Sequence, residues 1–167
     1  MAAQPTHVLG AVLIGLGATL AIDLWGLVLK RAFGIVSLNY CLLGRWLLHM
    51  PEGTLAHPSI AAAPPKAHEC PVGWSAHYLI GVSLGLVFVL IGPAEWLERP
   101  TFLPALVFGV VTVAMPWLIM QPSFGLGIAA SRAPKPGQAR LKSLMTHTVF
   151  GIGLYLWAVL LSPLLFR

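Results

Sequence analysis

The chain has 167 residues, of which 57% are apolar and only 9% are charged, and its mean hydropathy is +0.84. An average soluble domain carries about 25% charged residues, so this composition excludes a soluble enzyme, a disordered tail and a disulfide scaffold. Ten Lys or Arg against five acids give a net charge of +5, and we therefore expect an integral membrane protein.

Four apolar stretches are each long enough to cross a bilayer, which requires about 20 residues of helix. They lie at about residues 8–29, 74–92, 102–121 and 144–166. The first is interpreted as a span and not as a signal sequence, because its cations follow the apolar run. The rest of the chain is too small for a separate soluble domain. The spans are expected to be helices, because the backbone polar groups of open β-strands would lack hydrogen-bond partners in lipid. The predicted fold is thus an all-α membrane four-helix bundle, with residues 1–167 as one domain.

The cations are concentrated in two of the three connecting segments. Residues 30–73 and 122–143 hold four Lys or Arg each, whereas the link between spans two and three holds Arg99. By the positive-inside rule, both long segments lie in the cytoplasm and both termini lie on the other side. The basic charge is then a signal for insertion into the lipid bilayer, and no nucleic-acid partner is expected. Cys41 and Cys70 would face a reducing compartment, where a structural disulfide is not expected.

The second half of the chain is similar to the first, which indicates a tandem duplication of a two-helix unit. His77 and His147 each precede a glycine by four residues, in spans two and four. Gly17 and Gly109 each precede a tryptophan by eight residues, in spans one and three. The two halves would form a parallel repeat. Function is expected where the halves differ, and Asp23 belongs to the first half alone.

Asp23 is the sharpest candidate for a functional group. It lies two helical turns, or roughly 10 Å, before Lys30 at the end of span one. An acid at that depth costs at least about 2.5 kcal/mol, so we expect Asp23 to face the bundle and to be protonated or partnered. It would relay a proton or cation or act as the counter-charge of a ligand. The alternative is a structural bond that holds two helices together.

A short helix is predicted at about residues 36–50, after span one. Its polar residues recur every four positions and form one stripe, made of Ser37, Cys41, Arg45 and His49. The other sides are apolar, so we expect the helix to be embedded against the spans. Arg45 is a candidate counter-charge for Asp23 or for an anionic ligand. The alternative is an interfacial anchor whose guanidinium reaches back to the headgroups.

His77 and His147 are the candidates for a metal or cofactor site. Two such histidines could ligate a haem iron or a metal ion, or handle protons near neutral pH. The alternative is an interfacial histidine that hydrogen-bonds to a loop or a headgroup. In the first loop, His68-x-Cys70 matches no zinc pattern.

Two further features predict helix packing and helix shape. Gly81-x-x-x-Gly85 on span two allows another helix to approach closely. Pro116, inside span three, removes the hydrogen bond to the Thr112 carbonyl and predicts a kink.

Five motifs lie between residues 23 and 53. They are Asp23-Leu24-Trp25, Lys30-Arg31-x-Phe33-Gly34, Ser37-x-Asn39-Tyr40-Cys41, Gly44-Arg45-Trp46 and His49-Met50-Pro51-Glu52-Gly53. With Met120-Gln121-Pro122 and the segment before His147, they resemble a bacterial domain-of-unknown-function family of small four-span inner-membrane proteins. The resemblance covers nearly the whole chain. It implies a bacterial inner-membrane location but no activity and no catalytic residues.

The sequence contains no nucleophile elbow, phosphate-binding loop, dinucleotide fingerprint or HExxH motif, so an enzyme is not expected. The first hypothesis is a small-solute, cation or proton-linked transporter or transport accessory. Its ligand- or ion-binding residues would be Asp23, Asn39, Arg45, His77 and His147. The second is a membrane redox protein with a bis-His haem or metal site. The third is a non-catalytic assembly subunit that packs through Gly81 and Gly85, in a homo-oligomer or a larger membrane complex.

Overall fold

The computed structural model describes residues 5–93 and 95–166, and every regular element within them is helical. The helices are α1 Pro5–Phe33, α2 Tyr40–His49, α3 Glu69–Ile91, α4 Phe102–Val111, α5 Gln121–Ser123 and α6 Pro136–Leu165. Four stretches are long and apolar enough to cross a membrane, namely Pro5–Phe33, Glu69–Ile91, Phe102–Ser123 and Pro136–Leu165. The prediction of an all-α, four-span membrane bundle is confirmed.

The helices extend beyond the apolar runs that predicted them. α6 begins at Pro136 and not near residue 144, because a hydropathy window marks only the apolar part of a helix. α1 continues to Phe33 and ends at Gly34, whose φ of +65° suits the left-handed turn after a helix. There the N–H of Ile35 donates to the Leu29 carbonyl over 3.1 Å. The predicted short helix is confirmed as α2, which begins later than expected because Asn39 caps it.

One compact unit contains the described residues of 5–37, 78–111 and 146–166. Its buried core includes Ile14, Ala18, Phe88, Phe150 and Leu154. α1 and α3 cross where both helices carry small residues. A Cβ on Gly85 would lie 2.5 Å from the Ala11 carbonyl oxygen, and a Cβ on Gly81 would overlap the Thr19 hydroxyl. The predicted close packing is confirmed, and α1 of the same chain occupies the surface that the assembly hypothesis assigned to another protein.

In the second half of the chain, the glycine equivalent to Gly81 also makes a close contact between helices. Gly151 of α6 corresponds to Gly81, and a Cβ on it would lie 2.7 Å from the Ala105 carbonyl oxygen of α4. Each half therefore has its returning helix packed on the preceding helix at the glycine that follows the histidine. This correspondence supports the duplication.

A second compact unit contains residues 38–77 and 112–145. Leu43, Ile60 and Phe124 form its small core. The loop after α2 lies along the turn after α5, since the N–H of His57 donates to the Ser123 carbonyl over 2.8 Å and the N–H of Ile60 to the Phe124 carbonyl over 3.2 Å.

Span three loses its regular α-helical bonding next to Pro116. The Thr112 carbonyl, which has no N–H to accept from at Pro116, accepts from the N–H of Met115 over 3.0 Å. The chain then forms a π-helical segment over Pro116–Met120. The predicted loss of a helical bond is confirmed, and it takes the form of a change in helix type.

Candidate functional site

The acid inside span one is bound by a tyrosine of α3. The hydroxyl of Tyr78 donates to Asp23 Oδ2 over 2.8 Å, and both side chains are half-buried. The expectation that Asp23 has a partner is therefore confirmed. Tyr78 could not be identified from the sequence, because its position next to His77 does not indicate that it faces α1.

An apolar groove of about 350 Å³ lies beside this pair, within the first unit. Its walls are Leu13, Leu16, Gly17 and Leu20 of α1, Tyr78 of α3, and Trp157 and Leu161 of α6. Leu13, Gly17 and Leu20 follow one another at helical spacing, and Asp23 continues that stripe by one more turn. Tyr78 both lines the groove and bonds the acid, so the groove has a polar end.

Trp157 forms one wall of the groove because α1 has no side chain at Gly17. A Cβ on Gly17 would overlap the indole ring. Gly17 therefore determines where the aromatic wall lies. The sequence identified this glycine only as part of the repeat, since the contact depends on the packing of α6.

A hydroxyl lies close to the helical turn after Asp23. The chain turns at Gly34, and Ser37 Oγ lies 2.5 Å from the point that a Cβ of Gly26 would occupy. Gly26 lies three residues after Asp23, on the same side of α1. Ser37, expected on the polar stripe of the short helix, belongs instead to the unit that holds Asp23.

Arg45 has a carboxylate partner in the second unit. Its Nε donates to Glu69 Oε2 over 2.7 Å and its Nη2 donates to Glu69 Oε1 over 2.8 Å. Its Nη1 donates to the carbonyls of Ile60, Ala61 and Ala63 over 3.1 to 3.3 Å. Within its own unit Arg45 is therefore paired with Glu69 and three loop carbonyls, and its role as a counter-charge for Asp23 or for an anionic ligand stays a prediction.

Asn39 and the two cysteines hold the starts of helices. Asn39 Oδ1 accepts the N–H of Cys41 over 3.0 Å and caps α2. Cys41 and Cys70 form a disulfide, so the expectation that they form no structural disulfide is wrong. That expectation was based on the reducing compartment that the cysteines would face. The disulfide instead follows from helix packing, because Gly44 and Gly73 let the first turns of α2 and α3 touch backbone to backbone.

The two histidines proposed as a ligand pair have separate neighbours. In the second unit, the ring of His77 stacks on Tyr40 with 3.9 Å between centroids. In the first unit, His147 hydrogen-bonds the backbone of Gly109. Among the described residues, no group of three or more His, Cys, Asp or Glu is arranged to hold a metal ion. Paired ligation of haem or metal by His77 and His147 stays a prediction.

A second pair of histidines is buried in the second unit, His49 at the end of α2 and His57 in the loop that follows it. His49 and His57 have ring centroids 4.9 Å apart, and His49 Nδ1 lies 3.3 Å from Glu52 Oε2. Burial, and to a lesser extent the charge of His49, lowers the pKa of His57 below its usual value of 6.5. The unfolded chain therefore binds this proton more readily, so the contribution of His57 to stability falls as the pH falls below 6.5.

A family model described as "Protein of unknown function (DUF2938)" matches residues 12–161. The match runs from within α1 to within α6, which confirms the resemblance to a family of unknown function. No curated protein and no solved structure matches the chain.

Proposed function

This chain belongs to the DUF2938 family of unknown function, and from its own geometry we propose that it binds a lipophilic cation in the groove beside Asp23. The hydrogen bond from Tyr78 to Asp23, at the polar end of an apolar groove, is the observation that carries the proposal. The proposal is a specific form of the cation- or proton-linked transport expected from the sequence.

The charge of Asp23 determines what the polar end can recognise. A carboxylate at membrane depth is costly unless a proton or a positive charge neutralises it. The neutral phenol of Tyr78 donates to the carboxylate and orients it. In the proposal, an ionised Asp23 supplies the negative charge that attracts the positive charge of the ligand.

The groove determines the rest of the ligand. Its walls are aliphatic except for Tyr78 and Trp157, whose aromatic faces attract cations by about 0.5–2 kcal/mol. A volume of about 350 Å³ is at the small end of the range for ligand sites. These walls favour a compact apolar body with a delocalised or quaternary positive charge, which reaches the groove from the lipid phase.

A proton and such a cation would compete for the same carboxylate. Binding of either one neutralises Asp23, and release of either one makes room for the other. This mutual exclusion is the minimal requirement for exchange of a cation against a proton. It gives the transport hypothesis a defined chemical step at Asp23.

The binding experiment compares the wild-type protein with Asp23→Asn, using tetraphenylphosphonium as the probe and equilibrium dialysis in detergent. Asparagine keeps an oxygen that accepts from Tyr78 and removes the negative charge. We expect the affinity of the variant to fall at least about tenfold, which corresponds to about 1.4 kcal/mol. Leu24→Ala is the control, because Leu24 is adjacent, 55% exposed and outside the groove lining.

Circular dichroism and gel filtration check that all three proteins are folded. Equal affinities in the wild-type protein and Asp23→Asn would contradict the proposal. Asp23 and Tyr78 would then act only as a hydrogen bond that joins α1 to α3.

We also propose the membrane orientation that the charges favour. Residues 30–73 and 122–143 would be cytoplasmic in a bacterial inner membrane, with both termini on the periplasmic side. Alkaline phosphatase fused after the last residue should then be active. Green fluorescent protein fused at the same position should not fluoresce, because the general secretory route would export it unfolded to the periplasm. The reverse pattern would contradict this orientation.

A further inference from the structure

The disulfide of the second unit joins the first turns of two helices. Cys41 is the second residue of α2 and Cys70 is the second residue of α3. The start of a helix carries partial positive charge, which favours a thiolate at that position. Either sulfur is thus suited to leave, or to attack, as a thiolate.

The two cysteine residues differ in exposure. Cys70 is exposed, whereas Cys41 is half-buried. A thiolate from outside can therefore approach the sulfur of Cys70. Cys41 is then the leaving group, and the start of α2 stabilises the charge that it acquires. Exposed disulfides are typically the labile ones, whereas structural disulfides resist reduction.

The two helix starts stay together by contacts that do not involve sulfur. A Cβ on Gly44 would overlap the Glu69 carbonyl oxygen, and a Cβ on Gly73 would overlap the Tyr40 carbonyl oxygen, so the two backbones are in direct contact. The ion pair of Arg45 with Glu69 joins the same two turns. After reduction these contacts keep the thiols close, and the bond can form again.

We propose that Cys41 and Cys70 form a reversible thiol–disulfide couple that exchanges with an external dithiol. A thiolate of the dithiol attacks Sγ of Cys70, the bond between the two protein sulfurs breaks, and Cys41 leaves as a thiolate that takes a proton from water. The second thiol of the dithiol attacks the mixed disulfide and releases Cys70. The protein gains two electrons and two protons, and the dithiol becomes a disulfide. This activity is independent of cation binding at Asp23.

The first test is reduction of the folded, detergent-purified protein by dithiothreitol, followed by alkylation with a maleimide polymer that shifts the gel mobility. Both thiols should become reactive to the maleimide at the same time and without denaturant. When the reductant is removed and oxidised glutathione is added, the disulfide should form again. Gel filtration and circular dichroism should stay unchanged throughout. A disulfide that is reduced only in denaturant, or that does not form again, would overturn the proposal.

The second test separates the two sulfurs in single variants. In Cys41→Ser, the remaining Cys70 should form a mixed disulfide with oxidised glutathione at least about tenfold faster than Cys41 does in Cys70→Ser, because of its access. Equal rates, or a faster reaction of Cys41, would overturn the assignment of Cys70 as the attacked sulfur. If Cys70 reacted with oxidised glutathione no faster than the thiol of free glutathione does, the proposal of a reversible thiol–disulfide couple would be overturned.

Discussion

Gly44→Ala is expected to destabilise the second unit by about 2–3 kcal/mol, the upper part of the range for an overpacked contact. The added methyl group would overlap the carbonyl oxygen of Glu69 and lie 2.6 Å from the backbone nitrogen of Gly73. Both atoms belong to the backbone of α3, which cannot turn aside as a flexible side chain can. The first turns of α2 and α3 would have to separate.

Thermal unfolding in detergent measures this effect. For a chain of this size, the expected loss corresponds to a fall in Tm of about 4–12 °C. The disulfide between Cys41 and Cys70 should also form less completely, because the same two turns carry both cysteines. Gly137→Ala is the matched control, since nothing lies within 4 Å of a Cβ at that position. A Gly44→Ala protein as stable as this control would show that the two helices do not touch there.

Arg45→Ala is expected to cost about 3 kcal/mol, at the lower end of the range for removing one partner of a buried ion pair. The Arg45 and Glu69 side chains are only 13% and 14% exposed, so the carboxylate would be left mostly out of water. The carbonyls of Ile60, Ala61 and Ala63 would lose the shared hydrogen-bond donor that holds this loop in place. Arg45→Lys should recover part of the loss, because it keeps the charge without the two-pronged geometry.

A double-mutant cycle with Glu69→Ala isolates the pair. Removing Glu69 should be much less damaging in the Arg45→Ala background than in the wild-type protein, with a coupling of at least about 1 kcal/mol. Additive losses would contradict the ion pair. Such a result would assign the role of Arg45 to its contacts with the loop carbonyls alone.

The spans could be predicted because lipid imposes a simple requirement on a sequence. About 20 apolar residues must be consecutive, and no tertiary contact is needed to see them. α2 was visible for a similar reason, since Cys41, Arg45 and His49 recur at helical spacing. In the structure this stripe faces one segment, with Cys70, Glu69 and the Pro64 carbonyl as the respective partners.

The partners could not be predicted because they come from distant parts of the chain. Asp23 was identified by its cost in lipid, but Tyr78 lies 55 residues further along and differs little from any other aromatic residue in a span. Glu69 lies 24 residues from Arg45, across a proline-rich loop whose path depends on packing. The disulfide was rejected on the basis of compartment. The matching Cys-x-x-Gly spacing at residues 41–44 and 70–73 was the signal that could have indicated the crossing.

The pH dependence of tetraphenylphosphonium binding tests the central claim most directly. If a proton and the cation compete for Asp23, the wild-type Kd should rise as the pH falls, by up to about tenfold for each pH unit. In Asp23→Asn, binding should be weak and should not vary with pH. A wild-type Kd with the same pH profile as that of Asp23→Asn would contradict exchange at Asp23.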